Sequence, residues 1–244
     1  MSTKTQKIPL TIGITGHRDL REEERDVLRK SVRNIFQLLH EHYPNSPLQL
    51  LSPLAEGADC LVAEVALTEN VQLLVPLPMP QDLYITDFQS PIAKQKFTEQ
   101  LKQATQVFEL ALVEGNTHTN ISQDQEARNK QYALVGAYIA SHSHILLALW
   151  NGISLGKSGG TSEVVQFKLT GDMQDLPKQY ELQHGFLAMV NTGTVFHVTA
   201  NRKSGKLLNV AGETRVLLPN HTVHLQDWHS SDLDAIDRFN QDIG

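Results

Sequence analysis

The chain has 244 residues, enough for one large domain or two small ones with a sizeable core. Hydrophobic residues make up 40% and charged residues 20%, with 15 glycines and 10 prolines spread along it, which excludes collagen-like, coiled-coil and wholly disordered chains. Against 21 Lys and Arg stand 27 Asp and Glu, a net charge of −6; this is the wrong sign for a chain that neutralises backbone phosphates, so no nucleic-acid partner is expected. The longest apolar runs, such as Ile145 to Trp150, fall far short of the ~20 residues that span a bilayer, and Met1 to Lys7 is too polar for a signal peptide, so no membrane partner is expected either. The lone Cys60 forms no internal disulfide and fits a reducing, cytoplasmic setting.

Short apolar runs alternate with longer amphipathic ones, with glycines at the junctions. Leu10 to Thr15 reads as a buried strand and Gly16-His17-Arg18 as the turn after it, with Asp19 the N-cap and Glu22 three residues on. In the helix that follows, Leu28, Val32, Ile35, Phe36 and Leu39 recur three and four apart, until Tyr43 to Pro47 stops it. The unit then repeats as a strand at Leu48 to Ser52, a turn at Ala55 to Asp59, a helix from Cys60 to Leu67 and a strand at Val71 to Leu77, which Pro76, Pro78 and Pro80 end. Gln81 to Pro91 has no period and reads as an irregular loop. A helix at Phe97 to Ala104, a strand at Val107 to Val113, a polar loop at Gly115 to Gln125, a helix at Glu126 to Ser141 and a strand at Ile145 to Trp150 complete the pattern.

A glycine-rich loop, Asn151 to Gly160, leads into a helix from Thr161 to Leu169. Strands followed by helices, each strand apolar on both sides, predict a Rossmann-like doubly wound α/β fold, a mainly parallel sheet with helices on both faces. The tail is richer in β formers, at Phe186 to Val190, Val195 to Thr199 and Thr214 to Leu218, with turns at Lys203-Ser204-Gly205 and Val210-Ala211-Gly212; it is expected to extend the sheet edge. Residues 1–229 are read as one domain. Residues 230–244, with Ile236 and Phe239 on one helix face, are read as a helix stub or linker, leading to an effector region outside this chain.

In an open parallel sheet the ligand lies beyond the carboxyl ends of the strands. Three strand-to-helix loops have the composition for it. Gly16-His17-Arg18-Asp19 combines a tight turn with an arginine able to reach an anion, and Ala55-Glu56-Gly57-Ala58-Asp59 ends in a carboxylate at a helix start. Gly159-Gly160-Thr161-Ser162-Glu163 brings paired glycines to the N-terminus of a helix, where backbone amides and the dipole favour an anion. Each loop alone is as compatible with ordinary turns and caps. Together they match a nucleotide or sugar phosphate, with no cofactor and no metal: His142, His144, His221 and His224 have close spacing, yet no acidic or cysteine cluster completes a ligand set.

Ile12 to Arg18, Leu54 to Asp59, Ala148 to Gly152 and Gly159 to Glu163 together resemble the SLOG superfamily, a Rossmann-like group that includes the Lonely Guy phosphoribohydrolases, the DNA-processing protein A family and the nucleotide-sensing domains of TRPM channels. The resemblance covers roughly the first 170 residues. It implies that Gly159, Gly160 and Thr161 bind phosphate, that Arg128 on the preceding helix joins them, and that Asn151, Gly152, Gly16, His17, Arg18, Glu56, Gly57 and Asp59 border the site. Tyr132 lies one turn from Arg128 and borders it too, although its spacing with Val135 and Ile139 equally suits the core. The phosphoribohydrolase signature has proline before its glycines and a glutamate three residues after the threonine. Here Ser158 precedes them and Glu163 follows Thr161 by two, a rotation of about 100° on a helix. The leading expectation is therefore a sensor of a nucleotide or nucleotide-derived signal, forming a homo-oligomer. The alternative is hydrolysis of a nucleotide's N-glycosidic bond, with Glu163 or Glu56 as acid-base and Arg128 steering the phosphate.

Overall fold

The computed structural model describes residues 6–154, 160–173, 193–204, 207 and 210–243. The segments expected as a strand at Phe186 to Val190, and Gly205 of the expected turn, lie outside them. Five parallel strands, β1 (Leu10–Gly16), β2 (Leu48–Leu51), β3 (Gln72–Leu77), β4 (Gln106–Glu109) and β5 (Ile145–Trp150), are joined by a sixth parallel strand, β6 (Val195–Thr199). Antiparallel β7 (Thr214–Leu218) and β8 (His221–His224) close one edge, giving the order β4-β3-β2-β1-β5-β6-β7-β8. The fold is Rossmann-like and doubly wound, with the β-rich edge at the C-terminal side.

Helices α1 (Arg25–His42), α2 (Ala58–Thr68) and α4 (Pro91–Gln103) follow the strands that step outward from β1, with the short α3 (Gln81–Tyr84) before α4. After α5 (His118–Gln123) and α6 (Gln125–Ser141) the chain returns to the other side of β1, and α7 (Thr161–Thr170) follows β5. Crossovers between parallel strands are right-handed. Reversing the direction of travel therefore puts α6 and α7 on the opposite face from α1, α2 and α4. Strand alternation agrees: Leu10, Ile12 and Ile14 pack with Leu28, Val32 and Ile35 of α1, whereas Leu146, Ala148 and Trp150 pack with Val135 and Ile139 of α6 and Val164 of α7.

Several boundaries differ from the sequence reading. Asp19 caps no helix: α1 starts only at Arg25, after a 3-10 turn at Glu22–Glu24. The Asp19 carboxylate instead takes Arg202 at 2.8 Å and the Ser204 hydroxyl at 2.5 Å. The stretch 81–90 read as irregular contains α3 and a further 3-10 turn, and α4 begins at Pro91, with the Ser90 hydroxyl accepting from the Ala93 amide and proline at its first position. Pro76 does not end β3 but pairs with Phe108 next to the edge strand. The loop read over Gly115 to Gln125 holds α5, capped by Thr117 and Asn120.

The last helix, α8 (Ser231–Asp242), is tied to the start of the sheet. The Asp237 carboxylate accepts from the Asn45 amide, the Asn45 side chain and the Ser46 hydroxyl, and Asn240 pairs with both the N–H and the C=O of Ile8.

A buried cation joins the two helices of the other face. Lys168 of α7 is 2% exposed and donates to the carbonyls of Ala140, at 3.0 Å, and Ser143, at 2.6 Å, where α6 ends. Burial lowers its pKa to about 8. Lys168→Met keeps the volume but leaves those carbonyls without their donor, so urea unfolding is expected to show a loss of about 1–3 kcal/mol.

Candidate functional site

The strand order reverses between β1 and β5, and the loops leaving their carboxyl ends open a crevice there. Close packing builds it. A Cβ on Gly16 would lie 2.4 Å from Ala58 Cβ and 2.6 Å from the Leu149 carbonyl oxygen, so only glycine lets β1 finish between β5 and α2. The next residue is then held on both sides: the His17 amide donates to Leu149 O at 2.9 Å, and the Ala58 amide donates to His17 O at 3.0 Å. Gly57 has φ +91°, and a Cβ there would come 2.3 Å from the Arg18 carbonyl. Two glycines thus press the loop after β1 against the start of α2.

The resulting cavity, of about 320 Å³, is lined by Gly16, His17, Arg18 and Asp59 on one side, by Asn129 and Tyr132 of α6, by Gly160 and Thr161 at the start of α7, and by Arg202. The Arg18 guanidinium lies 4.7 Å from the centre of the Tyr132 ring, a cation–π contact. His17 is 2% exposed, and its Nε2 accepts the Asn151 amide at 3.1 Å. That bond assigns the ring proton to Nδ1, which has no partner among the described residues. Burial, helped by the charge of Arg202, lowers the His17 pKa to about 4, which keeps the ring neutral. Asp59 is pushed the other way: burial raises its carboxyl to about 7 against the opposing effect of Arg18. Its recorded hydrogen bond is from the Ala55 amide to Oδ2, at 3.3 Å.

Of the residues expected from sequence, Gly16, His17, Arg18, Asp59, Tyr132, Gly160 and Thr161 come together on this cavity, with Gly57 behind its wall. Gly159 lies outside the described residues. Asn151 acts through His17, and its own Oδ1 accepts the Ile153 amide in a turn where Gly152 takes φ +78°. Glu56 sits beyond Arg18, where its carboxylate accepts the Gln89 amide.

Arg128 corrects the expectation placed on it. It is 7% exposed and donates to Ile121 O at 3.0 Å, Leu83 O at 2.9 Å and Thr86 Oγ1 at 3.2 Å, beside the Asp87 carboxylate at 2.9 Å. It clamps α3 and α5 to α6 and does not line the cavity. Glu163 is also elsewhere, on a separate hollow of about 590 Å³ with Trp150, Ser162 and Gln166. The sequence reading missed Arg202, which follows β6 and brings a second cation to the cleft. Its signal was the apolar run Val195 to Thr199: a sixth parallel strand must end at the same edge of the sheet, so the residues just after it reach the crevice.

The chain is thus a doubly wound α/β protein with a cationic, aromatic-walled cleft at its switch point. No family model and no curated protein matches it. Among solved structures it is similar to DNA processing protein A from Streptococcus pneumoniae, with 13% identity over 72% of this chain and 62% of that one and a TM-score of 0.39. It is also similar to DNA processing protein A from Helicobacter pylori, with 18% identity over 68% of this chain and 75% of that one and a TM-score of 0.35. The chain spans 62% of the pneumococcal protein, and likeness at this level assigns no residue a role. The description of the Helicobacter structure names a single-stranded DNA binding mode of that protein, and the expectation of no nucleic-acid partner for this chain is withdrawn. That expectation rested on net charge, which averages over the whole surface and says nothing of one cleft. Among the described residues no helix is long and apolar enough to cross a membrane.

The two perturbed groups have opposite linkage to pH. Between about pH 4 and 6.5 an unfolded His17 binds a proton that the folded one does not, so acidification costs stability, at most about 3 kcal/mol. Between about pH 4 and 7 the folded Asp59 holds a proton that the unfolded one has lost, so acidification adds stability. Relative to the parent chain, Asp59→Asn is expected to lose more stability between pH 6.5 and about 4.5, and His17→Asn less, as read from urea midpoints; equal changes in both variants would contradict this. Arg128→Met is expected to cost about 3 kcal/mol by leaving Asp87 and the loop carbonyls unpaired, with ligand affinity unchanged in whatever fraction folds.

Proposed function

We propose that this chain is a ligand-sensing protein that binds a nucleotide or nucleotide-derived signal in the cleft between the ends of β1 and β5. The observation that carries the reading is the gathering of Arg18, Arg202, the Tyr132 ring and the N-terminus of α7 around one cavity at the switch point. Arginines and helix amides are the donors that phosphates select, and an aromatic face suits a base. The SLOG resemblance of the loops supports the same assignment. Glu163 borders a different hollow and Glu56 sits beyond Arg18, holding the Gln89 amide, so neither candidate acid of the hydrolytic alternative lines the cleft, which favours binding over catalysis. A signalling role, a homo-oligomeric state, a cytoplasmic setting and the division into residues 1–229 and 230–244 belong to this proposal.

Calorimetry with nucleoside monophosphates, ADP-ribose, cyclic dinucleotides and a short single-stranded oligodeoxynucleotide tests it. At least one nucleotide is expected to bind, and Arg18→Ala to weaken it about tenfold by removing a charge-assisted contact. Absence of binding by every nucleotide in the set would sink the reading.

A further inference from the structure

The cleft contains a carboxyl group that the phosphate-binding reading leaves without a task. Asp59 is 5% exposed, lines the cavity beside the loop that follows β1, and belongs to the segment that follows β2. Its Oδ2 receives the Ala55 amide, and its Oδ1 accepts from no described residue. An ionised carboxylate there repels phosphate and selects a neutral hydrogen-bond donor. Three orphaned polar atoms belong to residues lining the same cavity, the Nδ1–H of His17, the hydroxyl of Tyr132 and the Nε–H of Arg202. A free acceptor and a free donor on one wall are matched by a group that both gives and takes a hydrogen bond. A sugar hydroxyl does both, whereas an exocyclic amine of a base only donates.

We infer that Asp59 reads the ribose hydroxyls of the bound nucleotide, so that the cleft prefers a ribonucleotide to its deoxy counterparts. The inference rests on the nucleotide-binding reading above and names its ligand class. Arg18 from the loop after β1, Tyr84 from α3 and the neighbouring Cys60 thiol are the titratable groups facing this carboxyl. Because burial holds the group near neutrality, a larger fraction of it accepts from a hydroxyl as the pH rises.

Calorimetric titration of the full chain with adenosine monophosphate and its 2′-deoxy and 3′-deoxy analogues, at pH 6 and 8, tests this. The expected result is an advantage of about tenfold for the ribonucleotide over at least one analogue at pH 8, narrower at pH 6, and absent in Asp59→Asn. Equal affinities for all three in the parent chain overturn the inference and leave nucleotide binding standing. If none of the three binds, the inference falls and the broader proposal is weakened with it. Should Asp59→Asn fail to fold, the comparison of ligands and pH in the parent chain decides alone.

Discussion

There is no room for a side chain where β1 ends. At Gly16 the backbone runs against Ala58 of α2 and the carbonyl of Leu149 in β5, and the rest of the cleft depends on that contact. It brings the His17 backbone within hydrogen-bonding reach of β5 on one side and α2 on the other. It thereby sets His17 under the Asn151 amide and aligns the loops after β1 and β2 with the start of α7 along one rim. The loops are precise because they are packed against each other, not because they are stiff in themselves; any residue larger than glycine would pry them apart.

Around that rim an acidic chain keeps a locally cationic site. The balance depends on which cations are already held. Arg128 is fixed by three neutral oxygens and Asp87, so its charge serves the architecture of α3, α5 and α6. Arg18 rests on an aromatic ring, and Arg202 shares Asp19 with Ser204 at the mouth. Between them, burial suppresses charge on two titratable groups of the wall: it holds the imidazole neutral and moves the carboxyl close to its neutral form. A neutral donor and a weakened carboxylate beside two guanidinium groups form a surface where an anion and a polyol can lie next to each other without mutual penalty.

Much of this was legible before any coordinates. The apolar runs at Leu10 to Thr15 and Ile145 to Trp150, and the spacing of Leu28, Val32, Ile35, Phe36 and Leu39, are local patterns, and the sheet and α1 follow them. What escaped the reading was short or held from afar. β8 has only four residues, three of them exposed, so it carries no apolar alternation to notice. α3 has four residues and follows two prolines, which read as loop. The start of α1 was misjudged because Asp19 followed by Glu22 matches a capping box, while the carboxylate had a stronger partner in Arg202, 183 residues away.

The sequence by itself determined the fold class and the strand-to-helix junctions from which Gly16, His17, Arg18, Asp59, Gly160 and Thr161 reach the cavity, because strand alternation, helical periodicity and glycine turns are properties of neighbouring residues. Only the tertiary structure decided which side chains face the ligand. Arg128 and Tyr132 share one face of α6, yet the first turns to the carbonyls of Leu83 and Ile121 and the second to Arg18. Glu163 and Thr161 are two residues apart and border different hollows. Helical spacing fixes an angle about an axis; what stands at that angle is set by segments tens to hundreds of residues away, and so is the buried environment that moves His17 and Asp59 from their ordinary protonation.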